Sequence, residues 1–166
     1  GRMKSIGIQI TQGEPDIICN KQGFLFSIAD KRIKSKNKLL SRVKEARNQI
    51  ERAGLPGIVA LDLSPLQDGY HGGLKDIKMH EFQGKSLYFL DINFECLLPK
   101  IQEICKRKNV FGIIAFAMFG GQVENSHTIF ISQMHSGRRL CLQGSTKSNH
   151  FWEIVDLLSH TPLGII

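Results

Sequence analysis

The sequence lacks the features by which membrane-spanning, zinc-binding and nucleotide-binding segments are usually recognised. Its apolar runs, such as Val110 to Phe119, fall far short of the roughly 20 residues that a membrane-spanning helix needs. The four cysteines form no C-x-x-C pair, and their spacing fits no zinc site. A phosphate-binding loop and a G-x-G-x-x-G motif are also missing. These absences argue against a transmembrane helix, a zinc finger and a phosphate-loop nucleotide site within the 166 residues.

Signs of export are missing as well. No basic stretch leads into an apolar segment near the first residue, so we recognise no secretory signal and expect a cytoplasmic protein. In that compartment the cysteine thiols are expected to be reduced. A chain of 166 residues with 42% hydrophobic residues has enough apolar material for a single domain with one core.

The positive charge of the chain is concentrated in one segment. The formal net charge is +7, and the range 31–52 alone holds nine basic residues opposed only by Glu45 and Glu51. Such a local surplus creates a positive potential that favours binding of a polyanion such as nucleic acid. A solvated helix face gives the same pattern, so the charge alone does not decide between the two interpretations.

Hydrophobic periodicity predicts an alternation of strands and helices. Strands are predicted at 5–10, 16–19, 23–32, 57–63, 110–119 and 128–134, and helices at 38–53, within 86–108, and at 149–159. We expect Asn37 to cap the first helix, Pro99 to break the second, residues 64–85 to be mostly loop, and Gly120-Gly121 to form a turn. The order β-β-β-α-β-α-β-β-α predicts an α/β fold with a central mixed β-sheet flanked by helices.

Three of these predicted elements carry acidic, basic and amide residues in a fixed succession. Pro15-Asp16 opens the second strand, Lys31 follows fifteen residues later on the third strand, and Gln49 lies on the next helix. This succession resembles the PD-(D/E)XK nuclease superfamily, in which an aspartate, an acid-x-lysine pair and a helical glutamine follow one another. The resemblance covers roughly residues 5 to 64. It implies a restriction-endonuclease-like fold and metal-dependent hydrolysis of DNA phosphodiester bonds.

The resemblance also implies a role for each motif residue. Asp16 would bind Mg²⁺ or Mn²⁺, because hard cations prefer oxygen ligands. The metal would activate water and neutralise phosphate charge. Lys31 would stabilise the transition state, and Gln49 would orient the site. A set of basic residues near the motif would contact the phosphate backbone of DNA: Arg32, Lys34, Lys36, Lys38 and Arg42.

The sequence departs from the family pattern at one position. The acidic residue expected two positions before Lys31 is Ala29. Strand alternation places Asp30 on the opposite face, so Asp30 replaces the missing acid only if the strand bulges. Three explanations remain open. The acid has moved to Glu45, which shares a helical stripe with Gln49 and would then be a metal ligand; or the site is inactive; or the alanine is an engineered change.

DNA is therefore the expected partner, with a homodimer left open. If the site is inactive, the chain is a nucleic-acid-binding module on the same fold. A third interpretation is an interaction domain whose basic helix meets an acidic protein. Preference for DNA over an acidic polymer such as heparin would separate this interpretation from nucleic-acid binding.

Overall fold

The computed structural model describes residues 9–12, 16–67, 74–77, 79–106, 108–123, 129–140 and 149–154. Within these residues the strands are β1 (Gln9–Gln12), β2 (Ile17–Lys21), β3 (Phe24–Arg32), β4 (Gly57–Asp62), β5 (Leu74–Ile77), β6 (Val110–Val123) and β7 (Ile129–Arg139). The helices are α1 (Leu39–Ala53), α2 (Met79–Asn93) and α3 (Leu98–Cys105), and residues 149–154 are also helical. The predicted α/β class with a mixed sheet flanked by helices is confirmed.

The described strands form one mixed sheet. Its order is β1-β2-β3-β4-β6, and both β5 and β7 also pair with β6. The pairs β1–β2, β2–β3 and β6–β7 are antiparallel, whereas β3, β4 and β6 run parallel. β7 pairs with one edge of β6. The other edge of β6 is shared by two strands: β4 pairs with the range 110–116, and β5 pairs with the range 121–123.

A tight hairpin joins β2 to β3. Gln22 and Gly23 have φ angles of 51° and 86°, as a two-residue hairpin turn requires. The backbone N–H of Gly23 donates to the side chain of Asn20 at 3.0 Å. This turn fixes the register of the two strands and therefore determines which residues stand opposite one another near the start of β2.

Helix α1 forms as its hydrophobic periodicity predicts. Leu39, Val43, Ala46 and Ile50 recur at helical spacing, and all four are fully buried. Gly54 ends the helix in the left-handed conformation that glycine adopts without strain. The prediction that Asn37 caps the helix is wrong, because residues 36–38 form a 3-10 turn and no side chain caps α1.

The two faces of the sheet support separate hydrophobic clusters. The helical face, defined as the face covered by α1, α2 and α3, carries the larger cluster, which includes Ala29, Val59 and Ile113. The opposite face carries Phe26, Ile28, Ile58 and Phe111 and is covered by Phe151 and Ile154 of the segment 149–154. β3 contributes alternate residues to both clusters, as strand geometry requires.

Several element predictions are corrected by the structure. The range 64–85, predicted as loop, contains β5 and the start of α2. The predicted turn at Gly120-Gly121 is wrong, because β6 continues through Val123 and pairs these glycines with Ile131 and Phe130 of β7. The predicted break at Pro99 is confirmed, since α3 begins with this proline in its first turn, where no N–H is required. Parts of the first predicted strand and of the last predicted helix lie outside the described residues.

Helices that are both long and apolar enough to cross a membrane are absent from the described part of the chain.

Candidate active site

Asp16 and Lys31 meet at the start of β2 and the end of β3. The Lys31 ammonium lies 3.3 Å from the Asp16 carboxylate and donates to the carbonyl oxygen of Asp30 at 3.0 Å. The same carboxylate oxygen of Asp16 accepts a hydrogen bond from the backbone N–H of Asp30 at 2.9 Å. Lys31 is mostly buried, with 13% of its side chain exposed. The antiparallel hairpin thus brings together two motif residues that are fifteen positions apart.

The end of β3 presents its residues to the two faces by strict alternation. The β3–β4 register runs without a shift from Ser27 to Arg32, so β3 does not bulge at Asp30. Asp30 therefore lies on the face of Ile28, and Lys31 lies on the face of Ala29. The prediction that Asp30 lies on the face opposite Lys31, without a bulge in the strand, is confirmed.

Ala29 lies in an apolar environment that disfavours a carboxylate. It is fully buried within the cluster of the helical face, together with Ala46 of α1 and Val59 of β4. An ionised side chain among these apolar neighbours would lose its hydration without gaining a charged partner. Position 29 thus belongs to the core, while Lys31, two residues further along the same face, reaches the edge of that core.

A second pair of charged residues occupies the opposite face at the ends of β3 and β4. The Arg32 Nε lies 3.4 Å from the Asp62 carboxylate, and Asp62 also accepts the backbone N–H of Ser64 at 2.9 Å. Partial burial raises the pKa of Asp30 above its usual range, and the nearby carboxylates of Asp62 and Asp16 raise it further. The strand ends therefore gather three carboxylates around Lys31 and Arg32.

An open cavity lies against α1 on the side of Lys31. Its volume is about 740 Å³. It is lined by Lys31 and by one stripe of polar α1 residues: Arg42, Glu45, Asn48, Gln49, Glu51 and Arg52. Three residues predicted to form the site, Lys31, Glu45 and Gln49, therefore share one cavity. Asp16 joins them through its contact with Lys31.

Glu45 and Gln49 differ in how their polar atoms are satisfied. The Glu45 carboxylate is half exposed and accepts a hydrogen bond from Arg42 at 2.6 Å. The Oε1 atom of Gln49 is buried and has no hydrogen-bond partner among the described residues. A buried amide oxygen without a partner costs free energy, which makes it a candidate acceptor for a bound water or ligand.

The oxygen atoms of three predicted site residues are of the types that a hard divalent cation prefers. Asp16 and Glu45 offer carboxylate oxygens and Gln49 offers an amide oxygen, the atom types that Mg²⁺ prefers. In the described ranges no group of three or more His, Cys, Asp or Glu side chains is arranged to hold a metal ion. Mg²⁺ does not need such a group, because it is commonly held by one or two carboxylates together with water and substrate phosphate.

The predicted backbone-binding residues fall into two sets. Arg32 and Arg42 pair with Asp62 and Glu45, so their charge is partly neutralised. Lys34, Lys36 and Lys38 are exposed, and none of the three forms an ion pair within the described part of the chain. The range 34–38, which joins β3 to α1, thus carries the uncompensated positive charge beside the cavity.

Sequence reasoning missed the further polar residues of the cavity. Asn48 and Arg52 lie three and seven residues after Glu45, and this spacing places all three on one side of a helix. The spacing was readable in the sequence once Glu45 and Gln49 had been selected. The pairing of Arg32 with Asp62 was not readable, because it depends on the parallel register of β3 and β4.

Comparison with known proteins returned no relative of this chain: no family model, no curated protein and no solved structure matches it.

Proposed function

We propose that this chain is a metal-dependent nuclease domain of restriction-endonuclease-like fold that hydrolyses DNA phosphodiester bonds. The single observation that best supports the proposal is the cavity that Lys31 shares with Glu45 and with the unpartnered amide oxygen of Gln49. The contact between Lys31 and Asp16 adds the carboxylate that the nuclease pattern requires. The proposal retains the explanation in which the second acid has moved from position 29 to Glu45.

Each of these residues has a distinct task in the proposed site. Asp16 and Glu45 would hold Mg²⁺ or Mn²⁺, and the metal would supply charge neutralisation at the phosphate and a more acidic water. Lys31 would donate to the scissile phosphate and stabilise the negative charge that develops there. The Gln49 amide oxygen would accept a hydrogen bond from a water in the cavity and so orient it. Asp16 would also keep the Lys31 ammonium in place before substrate binds.

The surroundings of the cavity suit a polyanionic substrate. The range 34–38 directly follows the end of β3, and its lysines are exposed. Neutralising phosphates with these lysines would release counterions from the DNA, so binding would weaken as salt is raised. When the Glu45 carboxylate binds the metal, its ion pair with Arg42 would weaken, because one carboxylate cannot fully neutralise two cations. Arg42 would then contact a phosphate of the DNA.

The proposal is tested by incubating the chain with plasmid and single-stranded DNA in the presence of Mg²⁺, Mn²⁺ or chelator. We expect cleavage with metal and none with chelator. Asp16→Ala, Lys31→Ala and Glu45→Ala should each reduce the rate by about a hundredfold or more. Glu103→Ala is the matched control. Glu103 is an exposed acid that pairs with a basic residue three positions away, Lys106, just as Glu45 pairs with Arg42. Cleavage that survives Glu45→Ala would contradict the relocated acid.

One observation favours a second candidate function. The position of the missing acid is a buried alanine, and the Glu45 carboxylate is already engaged by Arg42. Both facts suit a nucleic-acid-binding module without a complete metal site. This candidate predicts no cleavage under any metal condition, together with salt-sensitive DNA binding that weakens when Lys34 and Lys36 are replaced by glutamine. Equal binding to DNA and heparin would instead favour an acidic protein partner.

A further inference from the structure

Helix α2 exposes large side chains on the flank that adjoins the basic segment. Tyr88 is 65% exposed and Ile92 is 37% exposed. The two residues are four positions apart, so they lie one above the other on the helix surface. The exposed Lys85 precedes Tyr88 by three positions and lies on the same flank. The ring of Tyr88 therefore contributes to the surface of α2 and not to the core.

Lys36 joins the basic segment to this helix. Its ammonium donates to the carbonyl oxygen of Ile92 at 2.7 Å, where the last turn of α2 has carbonyl groups without helical partners. The contact fixes the range 34–38 against the end of α2. Since Tyr88 lies about one helical turn, roughly 5.4 Å, from Ile92, its ring and the lysines belong to one surface. We call this the Tyr88 surface, and it consists of Lys34, Lys36, Lys38, Lys85, Tyr88 and Ile92.

The charge of the Tyr88 surface is positive at the end nearest the candidate active site. Lys34, Lys36 and Lys38 are exposed without an acidic partner in the described residues. Asp91 follows Tyr88 by three positions and Glu81 precedes Lys85 by four, so both acids share this flank of α2, where the four lysines of the surface outnumber them. An exposed aromatic ring on a surface with more lysines than acids matches the combination that binds single-stranded nucleic acid, in which bases stack on rings and cations track the backbone.

We propose that the Tyr88 surface binds single-stranded DNA, with a base stacked on Tyr88 and phosphates contacted by the lysines. This inference rests on the proposed function and specifies its substrate class. A duplex keeps its bases paired and stacked inside, so it offers no base face to a ring on a protein surface. A single strand offers an open face at every base. Lys34 follows the end of β3 by only two residues, so a DNA strand bound to the Tyr88 surface would extend to the cavity at Lys31.

The experiment compares binding of the full chain to a labelled oligothymidine and to a hairpin duplex of the same length. Fluorescence anisotropy is measured in chelator, which prevents cleavage. We expect Tyr88→Ala to weaken single-strand binding about tenfold, in line with the loss of one stacked base, and to leave duplex binding unchanged. Tyr88→Phe should retain the affinity because it keeps the ring. Leu87→Ala is the matched control, since Leu87 is also exposed but lies on another flank of α2.

Three outcomes would overturn the inference. The first is unchanged single-strand affinity of Tyr88→Ala. The second is an equal loss for single-stranded and duplex DNA. The third is a change of oligomeric state in sedimentation, which would identify the surface as a contact between copies of the chain. If the chain cleaves duplex DNA and Tyr88→Ala leaves single-strand affinity unchanged, this inference is contradicted but the nuclease proposal stands. Tyr88-dependent single-strand binding without metal-dependent cleavage would support this inference and contradict the nuclease proposal.

Discussion

In the described residues, the two faces of the sheet are covered by different elements. On the helical face, α1, α2 and α3 bury a large cluster that includes Ala29, Leu39 and Phe119. On the opposite face, His150, Phe151 and Ile154 of the segment 149–154 lie over a smaller cluster of aromatic and branched side chains. β3 runs through both clusters and ends with polar residues on each face. Lys31 reaches the cavity on the helical side, and Arg32 pairs with Asp62 on the other.

This difference shows how one strand serves both stability and the candidate site. Ala29 is fully buried under the helices, so substitution there disturbs the core, whereas its neighbour Asp30 is exposed near the end of β3 and should tolerate substitution. Adjacent positions on β3 should therefore respond to mutation in opposite ways. The predictions below test that contrast, beginning with the largest expected effect.

Restoring the acid of the family pattern should damage the protein. Ala29→Asp would place a carboxylate in a fully buried position under α1, and we expect the free energy of unfolding to fall by about 3–5 kcal/mol. Urea denaturation followed by the fluorescence of Trp152, the single tryptophan, measures the change. A variant as stable as the parent that cleaves DNA faster would show that position 29 opens to the site, and that the acid has not moved to Glu45.

A pair of glycines, one under each face, tests how rigidly each face is covered. A methyl group at Gly57 would lie 2.6 Å from the Ser27 hydroxyl and 2.7 Å from Ile50 in the last turn of α1, and a methyl group at Gly112 would collide with the ring of Phe151. We expect Gly57→Ala to cost about 3 kcal/mol of unfolding free energy, since the colliding Ile50 carbons are branched close to the backbone of a packed helix. Gly112→Ala should cost about 1 kcal/mol, because the colliding atoms lie in the ring of Phe151, further from the backbone, where a side chain moves more easily. A larger loss at Gly112 would reverse the proposed ranking of the faces.

The smallest expected effect concerns the ionisation of Asp30. The pKa of Asp30 is raised in the folded state, so its protonated carboxyl stabilises the fold relative to its ionised carboxylate. This contribution to the free energy of unfolding is present below pH 3.8, the usual pKa, and is lost as the pH rises through the pKa of the folded state. At pH 7 the ionised carboxylate is partly removed from water and is also repelled by Asp62 and Asp16. We expect Asp30→Asn to raise the free energy of unfolding at pH 7 by less than about 1 kcal/mol, because solvent screens an exposed charge.

The check on Asp30 is the difference between variant and parent across pH. Urea denaturation in chelator at pH 7 should show the variant to be more stable, and the difference should disappear below pH 3.8. Asp91→Asn serves as control, because Asp91 is exposed on α2, away from these carboxylates. A variant that is less stable than the parent at pH 7 would mean that Asp30 makes a favourable contact with Lys31 that outweighs the repulsion.

The sequence predicted those elements whose hydrophobic pattern had one interpretation. α1 has a single apolar stripe, and β4 is a continuous apolar run, so both were placed correctly. α2 was only partly found, because Tyr88 and Ile92 are exposed and blur the stripe that Phe89 and Leu90 provide. Gly120 and Gly121 suggested a turn, but pairing with β7 along the whole strand outweighed their local preference.

The candidate site could be predicted in part for the same reason. Alternation along β3 correctly placed Lys31 and Ala29 on one face and Asp30 on the other. The nuclease resemblance, its metal and its DNA substrate stay predictions, because none of them follows from the fold. The partners of Arg32 and Lys36 could not have been anticipated, since each contact joins segments whose relative position the local sequence does not encode.

By itself, the sequence determined the local alternatives: the helical stripe of α1, the two faces of β3 and the concentration of positive charge between 31 and 52. These depend on the spacing of residue types along the chain, which secondary structure converts directly into geometry. Only the tertiary structure decided that Asp16 meets Lys31, that Lys31 shares a cavity with Glu45 and Gln49, and that Lys36 docks against the end of α2. These contacts depend on strand register and helix packing, which the burial of apolar side chains from the whole chain determines.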